Sequence, residues 1–300
     1  MDLTQPKRFG IWPAIFDAFT LNNLESVDPD SAVQVAAEKA GGESVTSFSH
    51  VESSNPTVGF KSRDIREVLN ALNPTTAARG LVVSSSALIQ YLKRTTPTTA
   101  DHVTLSGTKG FLYVADFGAQ HKSKADISLQ YVALRNGGNK PLVVNVDQNL
   151  SGLPFINSSF GLGPVKFEGV QLRNVKGWRL RTGINYVVSE GDGEISPDEG
   201  TVDDASFVLE VDCDQIEVAQ SANFPEGAPI TVGITAYLRR QKQGTTVYDN
   251  SDPQHIAVSH NAGTYYTQSL SVSKEGDAST RLVCQFDGVP TIATGQAIAI

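Results

Sequence analysis

Apolar and polar positions alternate in short runs along most of the chain. The segments "GFLYVADF" (110–117), "ADISLQYVAL" (125–134), "KPLVVNVD" (140–147), "WRLRTGINYVV" (178–188), "ASFVLEVD" (205–212) and "PITVGITAYLRR" (229–240) are rich in β-branched and aromatic residues. Such runs, punctuated by Gly, Pro, Asn and Asp, predict strands. One stretch has helical spacing instead. In "SRDIREVLNALNP" (62–74), Ile65, Val68, Leu69 and Leu72 fall on one helix face, with Ser62 placed as N-cap and Pro74 as the stop. The stretch "DCDQIEVAQSANFP" (212–225) is a weaker helix candidate of the same kind.

The pattern also repeats. "WPAIFDAFTL" (12–21) set against "LPFINSSFGL" (153–162) pairs Pro13 with Pro154 and Phe19 with Phe160. "QYLKR" (90–94) against "AYLRR" (236–240) pairs Tyr91 with Tyr237. A longer block starting at His102 matches one starting at His255, aligning Gly110 with Gly263, Tyr113 with Tyr266 and Leu129 with Leu282. Three collinear blocks, too far apart for a solenoid unit, point to two homologous domains in tandem. The boundary falls near "NVDQNLSG" (145–152), giving domains 1–148 and 149–300. The expected fold is mainly β: two tandem β-sandwich or barrel domains, each with one short helix.

Charge separates the halves. The net charge is −8, and all of it lies in residues 151–300; the stretch 190–217 holds eleven acids and no base. Such a chain has no electrostatic footprint for gripping phosphate backbones. No run of about 18 apolar residues is present to span a membrane as a helix. "MDLTQPKRFG" lacks the apolar core of a secretion signal, which gives the expectation of synthesis in the cytoplasm. Two cysteines, Cys213 and Cys284, are too few for a disulfide framework or zinc cage.

Candidate chemistry is thin. The run "EGDGEISPDEGTVDD" (190–204) contributes Glu190, Asp192, Glu194, Asp198, Glu199, Asp203 and Asp204. Its spacing does not fit a calcium loop, and it reads as an acidic hairpin between strands. The five histidines form no metal-ligand spacing, and "GLGPVKFEG" (161–169) lacks the lysine and following helix of a phosphate loop. No catalytic residue, metal site or cofactor is therefore expected, and the chain is read as non-enzymatic. Trp12 either anchors the first strand or plugs a neighbouring subunit. The uncharged ending "VPTIATGQAIAI" needs cover, and pairing with another copy is the expected source.

The block "LPFINSSFGLGPVKFEGVQLRNVKGWRLRTGINYVVSEGDGEISP" (153–197) resembles the major tail tube proteins of long-tailed bacteriophages. The matching positions are Pro154, Phe155, Leu162, Gly163, Pro164, Gly169, Val170, Gly183, Ile184, Asp192, Gly193, Glu194 and Pro197. In the first half, "FTLNNLESVDP" is read as replacing the Gly-Pro turn. The resemblance implies a virion protein, made in the host cytoplasm, that self-associates into stacked rings forming a hollow tube for DNA. A duplicated chain would act as a trimeric pseudo-hexamer. Its implied partners are other copies, the tape measure, tail terminator and distal tail proteins, and DNA in transit. On this reading the acidic hairpin 190–204 faces the lumen or the next ring, and Trp12, Phe155 and Phe160 are assembly anchors. The alternatives are a double β-barrel capsid protein and a non-catalytic β-sandwich binding protein.

Overall fold

A computed structural model of the chain describes residues 8–17, 19–39, 41, 44–72, 81–94, 101–154, 158–191, 193–215, 217–221, 223, 225–241, 249–272 and 278–299. Phe155, Asp192 and Pro74 lie outside the described residues. The protein is mainly β, with several antiparallel sheets. Its first half runs β1 (Phe9–Ile11), β2 (Ala14–Phe16), β3 (Thr20–Leu21), β4 (Leu24–Asp30), β5 (Val33–Glu38), β6 (Phe48–Ser54) and β7 (Thr57–Ser62). Helix α1 (Ile65–Leu72) follows, then β8 (Val82–Ser84), β9 (Ala87–Lys93), β10 (His102–Gly107), β11 (Lys109–Gln120), β12 (Asp126–Leu134) and β13 (Val143–Gln148).

The second half runs β14 (Ser159–Phe167), β15 (Val170–Gln171), β16 (Val175–Arg181), β17 (Asn185–Ser189), β18 (Glu199–Asp204) and β19 (Val208–Cys213). After the short helix α2 (Glu217–Ser221) come β20 (Ala228–Pro229), β21 (Ile234–Gln241), β22 (His255–His260), β23 (Gly263–Val272), β24 (Ala278–Phe286) and β25 (Thr291–Gln296). The segment 178–188 is two strands rather than one, because Gly183 takes φ +52 between them, with Ser206 O only 2.5 Å from where a Cβ would sit.

Among the described residues a ten-stranded sheet crosses both halves in the order β20-β23-β24-β19-β16-β11-β12-β7-β4, with β8 on β11. One face of it is covered by two separate sheets. The first is β13-β10-β9-β2-β3 with β1, and the second is β15-β14-β21-β22-β25. Alternation sets this layering: along β7 and β19 every second residue is buried. Phe16 meets Phe60 edge-on at 5.5 Å in the first half, and Phe167 meets Tyr265 at 4.6 Å in the second. One apolar cluster, from Ala14 through Ile292, runs through both halves.

Helix α1 buries Ile65, Val68, Leu69 and Leu72, the predicted face. Its N-cap differs from expectation. Asp64 precedes the first helical residue, and its carbonyl accepts the first helical N–H, from Val68 at 3.3 Å. Ser62 lies too early to cap; its hydroxyl bridges the Asn22 carbonyl and the Asp64 N–H.

Several ladder pairs and bulges of the first half have a match in the second. Phe60 lies opposite Leu129, and Val211 opposite Leu282. Gly110 lies opposite Ala133, and Gly263 opposite Phe286. The bulge between Val114 and Asp116 recurs between Thr267 and Ser269, and that between Leu24 and Ser26 recurs between Val175 and Gly177. Asn23 and Asn174, which follow the first hairpin of each half, take φ 50 and 51. His102 Nδ1 accepts from the Lys93 N–H, and His255 Nδ1 from the Arg240 N–H.

These ladders revise the expected alignment. Phe9 pairs with Lys93 as Phe160 pairs with Arg240, and Phe16 with Ala87 as Phe167 with Ile234. "FGIWPAIF" (9–16) therefore corresponds to "FGLGPVKF" (160–167), so Pro13 matches Pro164 rather than Pro154. Trp12-Pro13 stands where Gly163-Pro164 stands, and the first half has kept the proline of that turn. Tyr91 likewise matches Leu238, one residue from the expected Tyr237, because Val103 faces Tyr91 and Ile256 faces Leu238. The uncharged ending is covered by its own chain: β25 pairs with β22, and Ile298 is buried beside Tyr237 and Ala257.

Candidate functional site: the seam between halves and the open sheet edges

The two halves meet where β11 pairs with β16, from Asp116 opposite Arg181 to Gln120 opposite Gly177. On the core side, Phe117 (0% exposed) packs edge-on against Trp178 at 6.0 Å. The indole N–H of Trp178 donates to the Tyr237 carbonyl at 3.1 Å, tying the seam to the covering sheet. Gly118 permits the approach: a Cβ there would lie 2.2 Å from the Trp178 carbonyl oxygen. At the end of the ladder the Thr182 N–H and hydroxyl donate to the carbonyls of Ala115 and Val114.

The other face of this sheet is polar and carries a groove of about 710 Å³ across the seam. Most of its charges are paired between strands. Lys61 pairs with Glu25 and Asp126, Arg181 with Glu210, and Arg281 with Asp212. Arg179 spans the seam from Asp116 to Asp126. Its burial works to lower the guanidinium pKa, but the two carboxylates outweigh it and hold the charge on more firmly. With Arg63, Lys122 and Lys124 beside these pairs, the groove lining carries seven basic and four acidic side chains.

The acidic hairpin is strands β17 and β18 with their connecting loop, and it lies on the first half. Ile184, Val202 and the half-buried Tyr186 pack on Phe111, Tyr113 and Leu134. Glu194 pairs with Arg135 at 2.5 Å, and Lys109 donates to the Asp198 carbonyl at 2.6 Å. Glu190, Glu199, Asp203 and Asp204 remain exposed on it. Hydrophobic seating therefore holds the hairpin, while its acids face out.

Of the expected anchors, Phe160 is 1% exposed and fills the protein's own core, so it is withdrawn as a contact to another copy. Trp12 is half-buried, and its indole N–H lies within 3.2 Å of the Ser151 carbonyl and 3.1 Å of the Gly152 carbonyl. Gln90 holds the same connection between halves, accepting from the Ser151 N–H at 2.7 Å. Trp12 thus fastens the linker.

Sequence reading missed the open edges. Residues 269–272 of β23 correspond to the part of β11 that pairs with β16, yet among the described residues this side of β23 carries only β20, at Thr264 and Tyr265. The outer edge of β4 corresponds to the edge of β16 that pairs with β11, and it is the free end of the ten-stranded sheet. Beside β4, Pro29, Val33, Val51, Tyr91, Leu105 and Val144 line an apolar groove of about 600 Å³. The alignment of residues 9–16 with 160–167 was the available signal, since it fixes which strand of one half stands for which in the other.

Among the described residues no three His, Cys, Asp or Glu side chains are grouped to hold a metal ion, and no helix is long and apolar enough to cross a membrane. Compared with known proteins, the chain matches no protein-family model and no curated protein sequence.

Proposed function

We propose that this protein is a non-enzymatic structural subunit of a phage virion that assembles head to tail into rings stacked as a tail tube. The observation that carries this reading is the repeated ladder scheme. Two copies of one pairing plan are joined by β11 and β16, while the equivalent edges on β23 and β4 are left open. A unit that repeats inside the chain and ends in the two halves of its own joint is built to continue into the next chain. The resemblance of residues 153–197 to tail tube proteins supplies the kind of assembly. An internal duplication into 1–148 and 149–300 makes three chains equivalent to six domains.

The layering supports a tube with the central sheet innermost. That sheet is continuous across both halves, whereas the covering layer is split in two. The lumen then receives the paired-charge face. Ion pairing with Asp and Glu neutralises most of its Lys and Arg, which weakens the grip on DNA phosphates. The tape measure, terminator and distal tail proteins are the expected further partners, in virions assembled in the host cytoplasm. Negative-stain microscopy of the purified protein across a concentration series tests this. Rings or tubes with a central channel are expected; dispersed single chains at every concentration would overturn it.

A further inference from the structure

The internal seam is a template for a contact the chain cannot make with itself. Carrying its pairs across by the repeat sets Leu270 opposite Pro29, Ser271 opposite Asp28 and Val272 opposite Val27. We infer that the open edge of β23 in one copy docks on the open edge of β4 in the next, with Leu270 entering the apolar groove beside β4. This rests on the head-to-tail assembly reading and specifies its interface.

Three independent features fit. The first is apolar cover. Phe117 is 0% exposed inside its seam, but its counterpart Leu270 is 41% exposed, and among the described residues no strand pairs with it on that edge. The groove that would receive it is lined by Tyr91 and Leu105, which stand for Leu238 and Val258, members of the same buried cluster as Phe117.

The second is the hairpin. Ile184, Tyr186 and Val202 seat their hairpin on the adjoining half, with Tyr186 against Tyr113 at 6.0 Å. Their counterparts Val33, Val35 and Val51 are 45%, 59% and 40% exposed, and Tyr266, which stands for Tyr113, is 39% exposed. An apolar hairpin face left bare while its twin is seated fits a seat on another molecule.

The third is charge. Inside the chain, Arg179 reaches the Ser128 hydroxyl at 3.4 Å across the seam. The residues standing in those two places are Asp28 and Arg281, which have opposite sign. Asp28 lies on the terminal strand of the ten-stranded sheet and Arg281 on β24 near its other end, so they can meet only between copies. Steered, oppositely charged edges favour this register over a slipped one.

Two differences make the intermolecular seam the weaker one. Pro29 has no N–H to give the ladder, and Ser271 carries a side chain where Gly118 carries none. Both keep the edges separable until copies are concentrated.

The test is a charge swap read by sedimentation velocity and negative-stain microscopy. Asp28→Arg and Arg281→Asp, the latter made together with Asp212→Asn because Arg281 also pairs with Asp212 in its own chain, are each expected to raise the concentration for half-assembly by about tenfold or more, and the combined variant to restore it. Leu270→Asp, at an exposed position, is expected to abolish assembly while leaving the melting temperature of the single chain unchanged. Rings that form equally well in all variants would overturn this interface and leave the assembly reading standing. Separate variants that fail, with a combined variant that also fails, would overturn the Asp28–Arg281 register. Wild-type protein that never assembles would overturn both.

Discussion

Gly118→Ser places at the internal seam the residue found at the corresponding position of the open edge, Ser271. The new Cβ would lie 2.2 Å from the Trp178 carbonyl oxygen and 2.8 Å from the Arg179 Cα, both backbone atoms. Ordinary contact requires more than 3 Å, so β11 and β16 must separate by about 1 Å locally. Backbone hydrogen bonds do not survive that stretch at full strength. Losing two of them at about 1 kcal/mol each, with 1–2 kcal/mol of strain, gives a destabilisation of about 3–4 kcal/mol. For a chain of this size that lowers the melting temperature by roughly 4–8 °C. Calorimetry measures the shift, and hydrogen exchange of the amides of residues 116–120 and 177–181 locates it. The reverse change at the open edge, Ser271→Gly, should cost the single chain less than about 1 kcal/mol, the entropy of a glycine in a strand. A Gly118→Ser protein with unchanged melting temperature and unchanged exchange along this ladder would refute the claim that a backbone approach at Gly118 closes the seam.

Two further outcomes are expected. Asp64 is 3% exposed, and burial, with Glu67 nearby, pushes its carboxyl up to about 6 against an Asn22 backbone hydrogen bond. The folded form then binds more protons than the unfolded form between pH ~4 and ~6, so stability falls as pH rises through that window, by up to about 3 kcal/mol. Asp64→Asn should flatten the change, measured as denaturant midpoints at pH 4.5 and 7; an equal slope in both proteins would count against the assignment. Cys213 and Cys284 are both 0% exposed, and burial raises both thiol pKa values. Neither should react with a thiol reagent in the native protein at pH 8, and both should react in denaturant; a native titre of one or two would contradict the core packing.

The sequence by itself determined the strands, because a half-buried strand writes its burial directly as alternation, as β7 and β19 do. It determined helix α1 for the same reason, through the spacing of Ile65, Val68, Leu69 and Leu72. The alignment of the two halves from His102 onward follows the order in which the ladders pair. It was misread at residues 12–21, because identity alone cannot tell a chance proline match from one fixed by a shared turn. Placement is what tertiary structure decided. Local pattern holds no record of which strand lies across the sheet, so it could not show that β11 and β16 close one seam while β23 and β4 leave its counterparts open. Net charge sums over a segment and ignores partners, so it could not show that the central face pairs its charges or that the acidic hairpin is held by Ile184 and Val202. Phe160 and Trp12 were visible as large apolar residues, but whether they faced inward or outward depended on residues far away in the chain.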